Sequence, residues 1–200
     1  MILRIIKNYK FSFIKLIYFE CVYFVKGYSG FKFNFSSNSK MTDNIPCPYY
    51  FLFKIKKNLE KNNFFKLIDL GCGAGRSIDF FNKNFPKKKF VGIEYFLKQY
   101  EICKKNFKKN YNIEIIQADF TKIDILKYEP DYLFLAAPFN NKSDFIDFMQ
   151  KTIKTSNKQI FFIIVNYSKK TIENIENIEF VESFYINENT GYSICFSTKT

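Results

Sequence analysis

Residues 67–76 read Leu-Ile-Asp-Leu-Gly-Cys-Gly-Ala-Gly-Arg, a mainly apolar run followed by three glycines at alternate positions. The apolar run predicts a buried strand. The glycines allow the backbone to adopt positive φ and to approach a ligand closely, and the helix that follows directs its free N–H groups at that ligand. We therefore interpret this stretch as a strand, a turn and a helix that bind a nucleotide-like cofactor.

The spacing of the glycines restricts the class of cofactor. The dinucleotide fingerprint requires glycine at the sixth position of its motif, where this sequence has Arg76. The phosphate loop of NTP-binding proteins requires a lysine followed by Ser or Thr, and that pair is missing here. Glu94 ends the next predicted strand, where an acidic side chain accepts hydrogen bonds from both hydroxyls of a ribose.

The rest of the main domain alternates between predicted strands and helices. Strands are predicted at residues 66–70, 89–94, 113–118, 132–136 and 160–165, and helices at residues 49–59, 76–84, 97–108 and 143–155. This alternation predicts βαβ units and a mostly parallel sheet covered on both faces, which is an α/β doubly wound fold. Two further strand-like runs, 180–186 and 192–198, are joined by a short turn and therefore predict an antiparallel hairpin.

Three of these segments resemble motifs of class I S-adenosylmethionine-dependent methyltransferases, in particular the small bacterial-type members. Residues 69–75 resemble motif I, residues 91–94 the motif that follows it, and residues 116–120 the motif of the third strand. The resemblance covers about residues 46–198. It implies a Rossmann-like, seven-stranded, mostly parallel sheet with an antiparallel C-terminal hairpin, and an enzyme whose cofactor is S-adenosylmethionine.

The resemblance also implies the cofactor contacts. The glycine turn passes beside the methionine moiety, with Asp69 below it, and Glu94 holds the ribose. Residues 46–50, Pro-Cys-Pro-Tyr-Tyr, are similar to a segment that covers the cofactor in some small methyltransferases. That similarity makes Tyr49 a candidate lid, with plain core packing as the alternative. Among the implied contacts, Cys72 is interpreted as a small filler residue, and Asp119 and Phe120 as the residues that frame the adenine. The implied contacts are Asp69, Gly71, Cys72, Gly73, Gly75, Glu94, Tyr95, Asp119, Phe120 and Tyr49.

The fourth predicted strand ends in residues 136–140, Ala-Ala-Pro-Phe-Asn, where class I enzymes meet their substrate. Amino-group methyltransferases of nucleic acids and of some proteins carry Asn, Asp or Ser in a slot that is alanine here, a departure that disfavours a nucleobase amine as the acceptor. Carbonyls near Pro138 could orient a nucleophile, and Phe139 could stack on a flat or cationic group. The substrate-side candidates are Ala137, Pro138, Phe139 and Asn140, with Asn166 and Tyr167 after the fifth strand.

Composition excludes several kinds of chemistry. The sequence has no histidine, which removes imidazole bases, Ser-His-Asp triads and histidine metal ligands. Its five cysteines are odd in number and far apart, so we predict neither a disulfide framework nor a metal site, and we expect a cytoplasmic protein. Methyl transfer from a sulfonium is an in-line displacement and requires none of these groups.

The N-terminal residues 1–44 are predicted to form an extension and a linker, and residues 45–200 the methyltransferase domain. Lys7, Lys10, Lys15, Glu20 and Lys26 interrupt the apolar start of the chain, so we expect no membrane span and no signal peptide. An element packed on the domain is favoured there. Weak contact with a membrane surface through residues 1–30 is the alternative.

The sequence thus predicts a methyltransferase whose acceptor is unidentified, with a small molecule or a protein amine favoured slightly over RNA. The formal net charge of +12 is compatible with a nucleic-acid partner, but abundant Lys, Asn, Ile, Phe and Tyr favour compositional bias as its cause. Two alternatives remain: a non-catalytic binding module with the methyltransferase fold, and a nicotinamide-dependent Rossmann oxidoreductase.

Overall fold

A computed structural model describes residues 2–28 and 46–198 of the chain, with side chains from Ile14 onward. The predicted linker and the boundary between residues 44 and 45 lie outside the described residues. In chain order the elements are α1 (Ile2–Val25), α2 (Tyr49–Leu59), β1 (Lys66–Leu70), α3 (Arg76–Asn84), β2 (Lys89–Glu94), α4 (Leu97–Phe107), β3 (Ile113–Gln117), a 3₁₀ turn (Leu126–Tyr128), β4 (Tyr132–Ala136), α5 (Lys142–Thr155), β5 (Phe161–Val165), α6 (Lys169–Glu173), β6 (Ile178–Asn187) and β7 (Thr190–Ser197).

The seven strands form one sheet in the order β3-β2-β1-β4-β5-β7-β6. The first five are parallel, whereas β7 pairs antiparallel with both β5 and β6. The chain reverses its direction of winding between β1 and β4, and in open α/β sheets ligands bind at the carboxyl ends of the strands beside such a reversal. The predicted fold class, including the antiparallel hairpin, is confirmed.

The apolar strand sequences follow from burial on both faces of the sheet. In β1 and β5, every residue after the first is buried, as expected for parallel strands covered by helices on both sides. Element bounds agree with the predicted ones to within about two residues. No sequence pattern predicts α6, because a helix of five residues is too short to show a periodic pattern.

The second half of α1 packs on the domain through aromatic rings. Tyr23 stacks on Tyr49 with ring centroids 4.9 Å apart and meets Phe80 edge-on at 5.2 Å. Phe19 contacts Tyr50 at 5.2 Å. The N-terminal helix therefore extends the hydrophobic core on the side of α2 and α3. None of the helices in the described part of the chain is long and apolar enough to cross a membrane.

Replacement of Tyr23 tests this docking. Tyr23 is buried, so Tyr23→Ala leaves a cavity between α1 and the domain and is expected to lower the free energy of unfolding by about 3 kcal/mol. Tyr18→Ala is the matched control, since Tyr18 lies on the same helix but is 62% exposed, and its effect should stay within about 0.5 kcal/mol. Urea denaturation measures both, and equal effects would contradict the docked position of α1.

Candidate active site

The glycine turn is shaped by its contacts with β2 and α4. The N–H groups of Gly71 and Cys72 both donate to the carbonyl oxygen of Ile93, at 2.9 and 3.1 Å. Gly75 has φ of +89°, and a Cβ there would lie 2.4 Å from Cε2 of Phe107. Both its φ and the lack of space therefore require glycine at position 75. A Cβ at Gly71 would lie 3.5 Å from Cβ of Pro138, so this end of the turn faces the loop after β4.

Glu94 joins the turn to the end of β2. One carboxylate oxygen accepts the N–H of Gly73 at 2.7 Å, and the other accepts the N–H of Phe96 at 2.8 Å. The side chain is buried, and desolvation raises its pKa although these backbone hydrogen bonds lower it. The backbone of Tyr95 is a third hydrogen-bond donor to this side chain. A carboxylate has about four lone-pair positions, so Glu94 keeps acceptor capacity for a ribose hydroxyl. Tyr95, the next residue, is half-exposed.

Asp69 places a second buried carboxyl group near the same turn. Its side chain accepts a hydrogen bond from the Ser77 hydroxyl on the first turn of α3. Desolvation raises the pKa of Asp69 to about 7; the charge of Glu94 adds to this rise and the Ser77 hydrogen bond opposes it. Two buried acids in one place favour a positively charged ligand, because a nearby cation stabilises their ionised forms.

Cys72 fills the space between the turn and α4. Its sulfur lies 3.9 Å from the sulfur of Cys103, and both residues are buried. The hydrogen bond with Cys103 and desolvation raise the pKa of Cys72 well above its usual value. A neutral, enclosed thiol is a poor nucleophile, which supports the interpretation of Cys72 as a filler.

The end of β3 presents an acid and an aromatic ring. Asp119 accepts from the N–H and the hydroxyl of Thr121 at 3.0 and 2.6 Å. Desolvation opposes ionisation of Asp119, but these hydrogen bonds and Lys122 outweigh it and lower the pKa. Phe120 is buried and meets Phe139 edge-on at 5.5 Å. The candidate adenine-side residue is thus in contact with the candidate substrate-side loop.

Tyr49 is fully buried rather than placed at an opening. Its ring stacks on Tyr23, and the guanidinium carbon of Arg76 lies 3.9 Å from its ring centroid. This position supports core packing, the alternative that the sequence left open. No sequence pattern predicts a related contact. Glu20 of α1 accepts the N–H of Tyr49 at 2.9 Å and pairs with Arg76, the residue that follows the glycine turn.

The substrate-side loop after β4 is held by Tyr167. The hydroxyl of Tyr167 accepts the N–H of Phe139 and donates to its carbonyl oxygen, both at 3.2 Å. The Tyr167 ring stacks on Phe145 with centroids 3.9 Å apart. Sequence reasoning selected Tyr167 only because it follows a strand end, and its partner in the loop became visible in the tertiary structure.

Two residues at neighbouring strand ends have left-handed backbone conformations. Ala137 follows β4 with φ of 49°, and Asn166 follows β5 with φ of 62°. Left-handed backbone conformations of residues other than glycine are strained and cluster at functional sites. The side-chain oxygen of Asn166 is buried and has no hydrogen-bond partner among the described residues. Asn140, by contrast, is exposed at the end of the loop.

Gln99 is a further buried polar residue that sequence reasoning missed. Its side-chain oxygen has no hydrogen-bond partner in the described part of the chain. Gln99 lies one turn before Cys103 on α4 and therefore on the same helix face, which contacts the glycine turn. A single glutamine at the start of a helix carries no sequence signal that could have identified it.

Comparison with known proteins gives one family match. Residues 67–158 match the family model described as "Methyltransferase domain". No curated protein matches the sequence significantly. Residues 67–158 are thus similar to methyltransferase domains, and the predicted resemblance to class I methyltransferases is confirmed.

Solved structures share the fold at low sequence identity. The methyltransferase domain of bacterial CtHen1-C aligns with a TM-score of 0.57 and 16% identity, over 74% of this chain and 97% of that one. A SAM-dependent methyltransferase from Aquifex aeolicus aligns with a TM-score of 0.56 and 16% identity, over 73% and 89%. The N,N-8-amino-8-demethyl-D-riboflavin dimethyltransferase RosA from Streptomyces davawensis aligns with a TM-score of 0.55 and 11% identity, over 74% and 54%. The chain spans about half the length of RosA and similar larger neighbours.

The raised pKa of Asp69 predicts a pH dependence of stability. Because the pKa is about 7 in the folded protein and 3.8 is the usual value, the folded state binds this proton more tightly than the unfolded chain does. The resulting stabilisation is complete below about pH 4 and is lost as the pH rises through about 7. Asp69→Asn should remove this pH-dependent loss of stability, in which the free energy of unfolding falls by up to about 1.4 kcal/mol per pH unit. Urea unfolding across this range measures it, and identical slopes for both proteins would contradict the raised pKa.

The anchoring of the substrate-side loop predicts a local effect of Tyr167→Phe. The variant keeps the ring stacked on Phe145 but removes the acceptor for the Phe139 N–H. With a net hydrogen-bond contribution of about 1 kcal/mol, amide exchange at Phe139 should become about fivefold faster. Tyr100→Phe is the control, since the Tyr100 hydroxyl accepts a hydrogen bond from exposed Lys104, away from the loop. Unchanged exchange at Phe139 would show that Tyr167 does not hold the loop.

Proposed function

We propose that this protein is an S-adenosylmethionine-dependent methyltransferase that binds its cofactor at the glycine turn. The observation that supports this proposal is the pair of buried carboxyl groups, Asp69 and Glu94, beside that turn. S-adenosylmethionine carries a sulfonium and an ammonium group, so it suits a site where buried acids favour a cation. The nicotinamide alternative is disfavoured because position 76, the sixth of the dinucleotide fingerprint, is arginine instead of glycine.

The residues present fit this cofactor. Glu94 would accept a ribose hydroxyl, since its carboxylate is fixed by Gly73 and Phe96 and keeps acceptor capacity. The buried oxygen of Gln99, on the helix face that meets the turn, offers an acceptor for another donor of the cofactor. Asp69 and the turn Gly71, Cys72, Gly73 and Gly75 would lie at the methionine end, and Tyr95, Asp119 and Phe120 at the adenosine end. The bound cofactor supplies an electrophilic methyl group.

The acceptor side is formed by the loop after β4 and the end of β5. Position 136, the polar slot of many amino-group methyltransferases, is alanine. We propose that Asn166, at the neighbouring strand end, takes the place of that polar residue. Its buried side-chain amide oxygen would accept a hydrogen bond from an N–H or O–H of the methyl acceptor. Tyr167 would hold Pro138 and Phe139 in position, so the protein contributes alignment and exclusion of water.

We favour a small molecule or a protein amine over RNA as the acceptor. RosA, which has this fold, is described as a dimethyltransferase of an amino-riboflavin, so the fold can serve a small amine. This support is analogy at the level of fold. A cytoplasmic location and the domain boundary at residues 44 and 45 remain predictions of the sequence.

Calorimetric titration with S-adenosylmethionine and S-adenosylhomocysteine tests the cofactor site. Glu94→Gln replaces one acceptor oxygen by a donor and should weaken binding at least tenfold, because hydrogen bonds to charged groups contribute about 1.5–3 kcal/mol. Glu101→Gln, an exposed change on α4, should bind like the unmodified protein.

Labelled-methyl transfer to fractionated lysate then tests for activity. Methylation of any fraction supports the proposal. Failure of the unmodified protein to bind either compound would overturn it, and tight binding without transfer to any fraction would favour the non-catalytic binding module.

A further inference from the structure

The outer side of α1 carries a continuous apolar stripe. Its described members recur at helical spacing and are all exposed; we call them the outer stripe: Ile14, Ile17, Tyr18, Cys21, Phe24 and Val25. Phe24 is 67% exposed and Val25 85%. Single exposed apolar residues are ordinary on protein surfaces, but a stripe along one helix face indicates a binding surface.

The opposite side of the same helix is already occupied. Phe19 and Tyr23 pack on the domain, and Glu20 bonds to the N–H of Tyr49 and pairs with Arg76. These inward contacts fix the rotation of α1 about its own axis. The outer stripe therefore faces away from the domain and is not used in holding the fold together.

The charges of α1 select the kind of partner. Its sequence and the residue after it contain five basic residues, Arg4, Lys7, Lys10, Lys15 and Lys26, and one acidic residue, Glu20. Glu20 is paired with Arg76 on the inward side, while Lys15 and Lys26 are exposed beside the outer stripe. Apolar and aromatic residues flanked by uncompensated lysines match the surface of an anionic lipid bilayer.

We propose that the outer stripe of α1 binds the surface of an anionic lipid membrane, with the helix lying in the plane of the interface. A second copy of the chain fits less well, because it would bring two basic helices together. Nucleic acid fits less well too, because the aliphatic side chains of Ile14, Ile17 and Val25 supply neither stacking nor phosphate contacts. This inference does not depend on the proposed cofactor.

Sedimentation with vesicles tests the proposal. The full chain should bind vesicles that contain phosphatidylglycerol, should bind pure phosphatidylcholine vesicles at least tenfold more weakly, and should lose affinity as salt increases. Ile17→Glu combined with Phe24→Glu should weaken binding to the anionic vesicles at least tenfold.

A charge-matched control separates the stripe from net charge. Phe65→Glu combined with Tyr111→Glu introduces the same two charges at exposed aromatic residues outside α1, and should weaken binding by less than threefold. A second variant, Ile17→Ser with Phe24→Ser, removes apolar surface without adding charge and should also weaken binding. Urea unfolding of each variant checks that the fold persists.

Three outcomes would overturn the proposal. The first is absence of binding to anionic vesicles by the unmodified protein. The second is equal loss in the two charge-matched variants, which would assign binding to overall charge. The third is a dimer in light scattering that Ile17→Glu with Phe24→Glu dissociates, which would assign the stripe to a second copy of the chain.

Discussion

The carboxylate of Glu94 connects the sheet to the glycine turn of the candidate site. It ends β2, accepts the N–H of Gly73 in the glycine turn and the N–H of Phe96 before α4, and so ties one strand to a turn and a helix start. The turn itself is closed on β2 by two hydrogen bonds to Ile93. Because the carboxylate is buried, loss of one partner would leave an unsatisfied group at the centre of the site.

Burial destabilises the ionised forms of Asp69 and Glu94, since desolvation raises the pKa of both carboxyl groups. A ligand with positive charge relieves that cost, whereas an anionic ligand increases it. In the function that we propose, the same local stability cost gives selectivity for a class of cofactor. Active sites commonly carry such electrostatic strain, which the rest of the fold must offset.

Helix α1 connects this centre to the outside of the molecule. Its inward face reaches Arg76, the residue directly after the glycine turn, through Glu20, and stacks Tyr23 on Tyr49. Its outer face is apolar and exposed. One helix thus contributes to the core on one side and presents an exposed apolar face on the other, a division that follows from the 3.6-residue period of the helix.

The sequence by itself determined the order of the strands and helices along the chain, the glycine turn and the acid at the end of β2. These features depend on local periodicity and on residues close in sequence. Only the tertiary structure decided that Tyr49 is enclosed, that Tyr167 holds Phe139, and that Glu20 reaches Arg76. Each of those contacts joins residues far apart in the chain. Their meeting depends on how helices and strand ends pack in three dimensions, which no local pattern encodes.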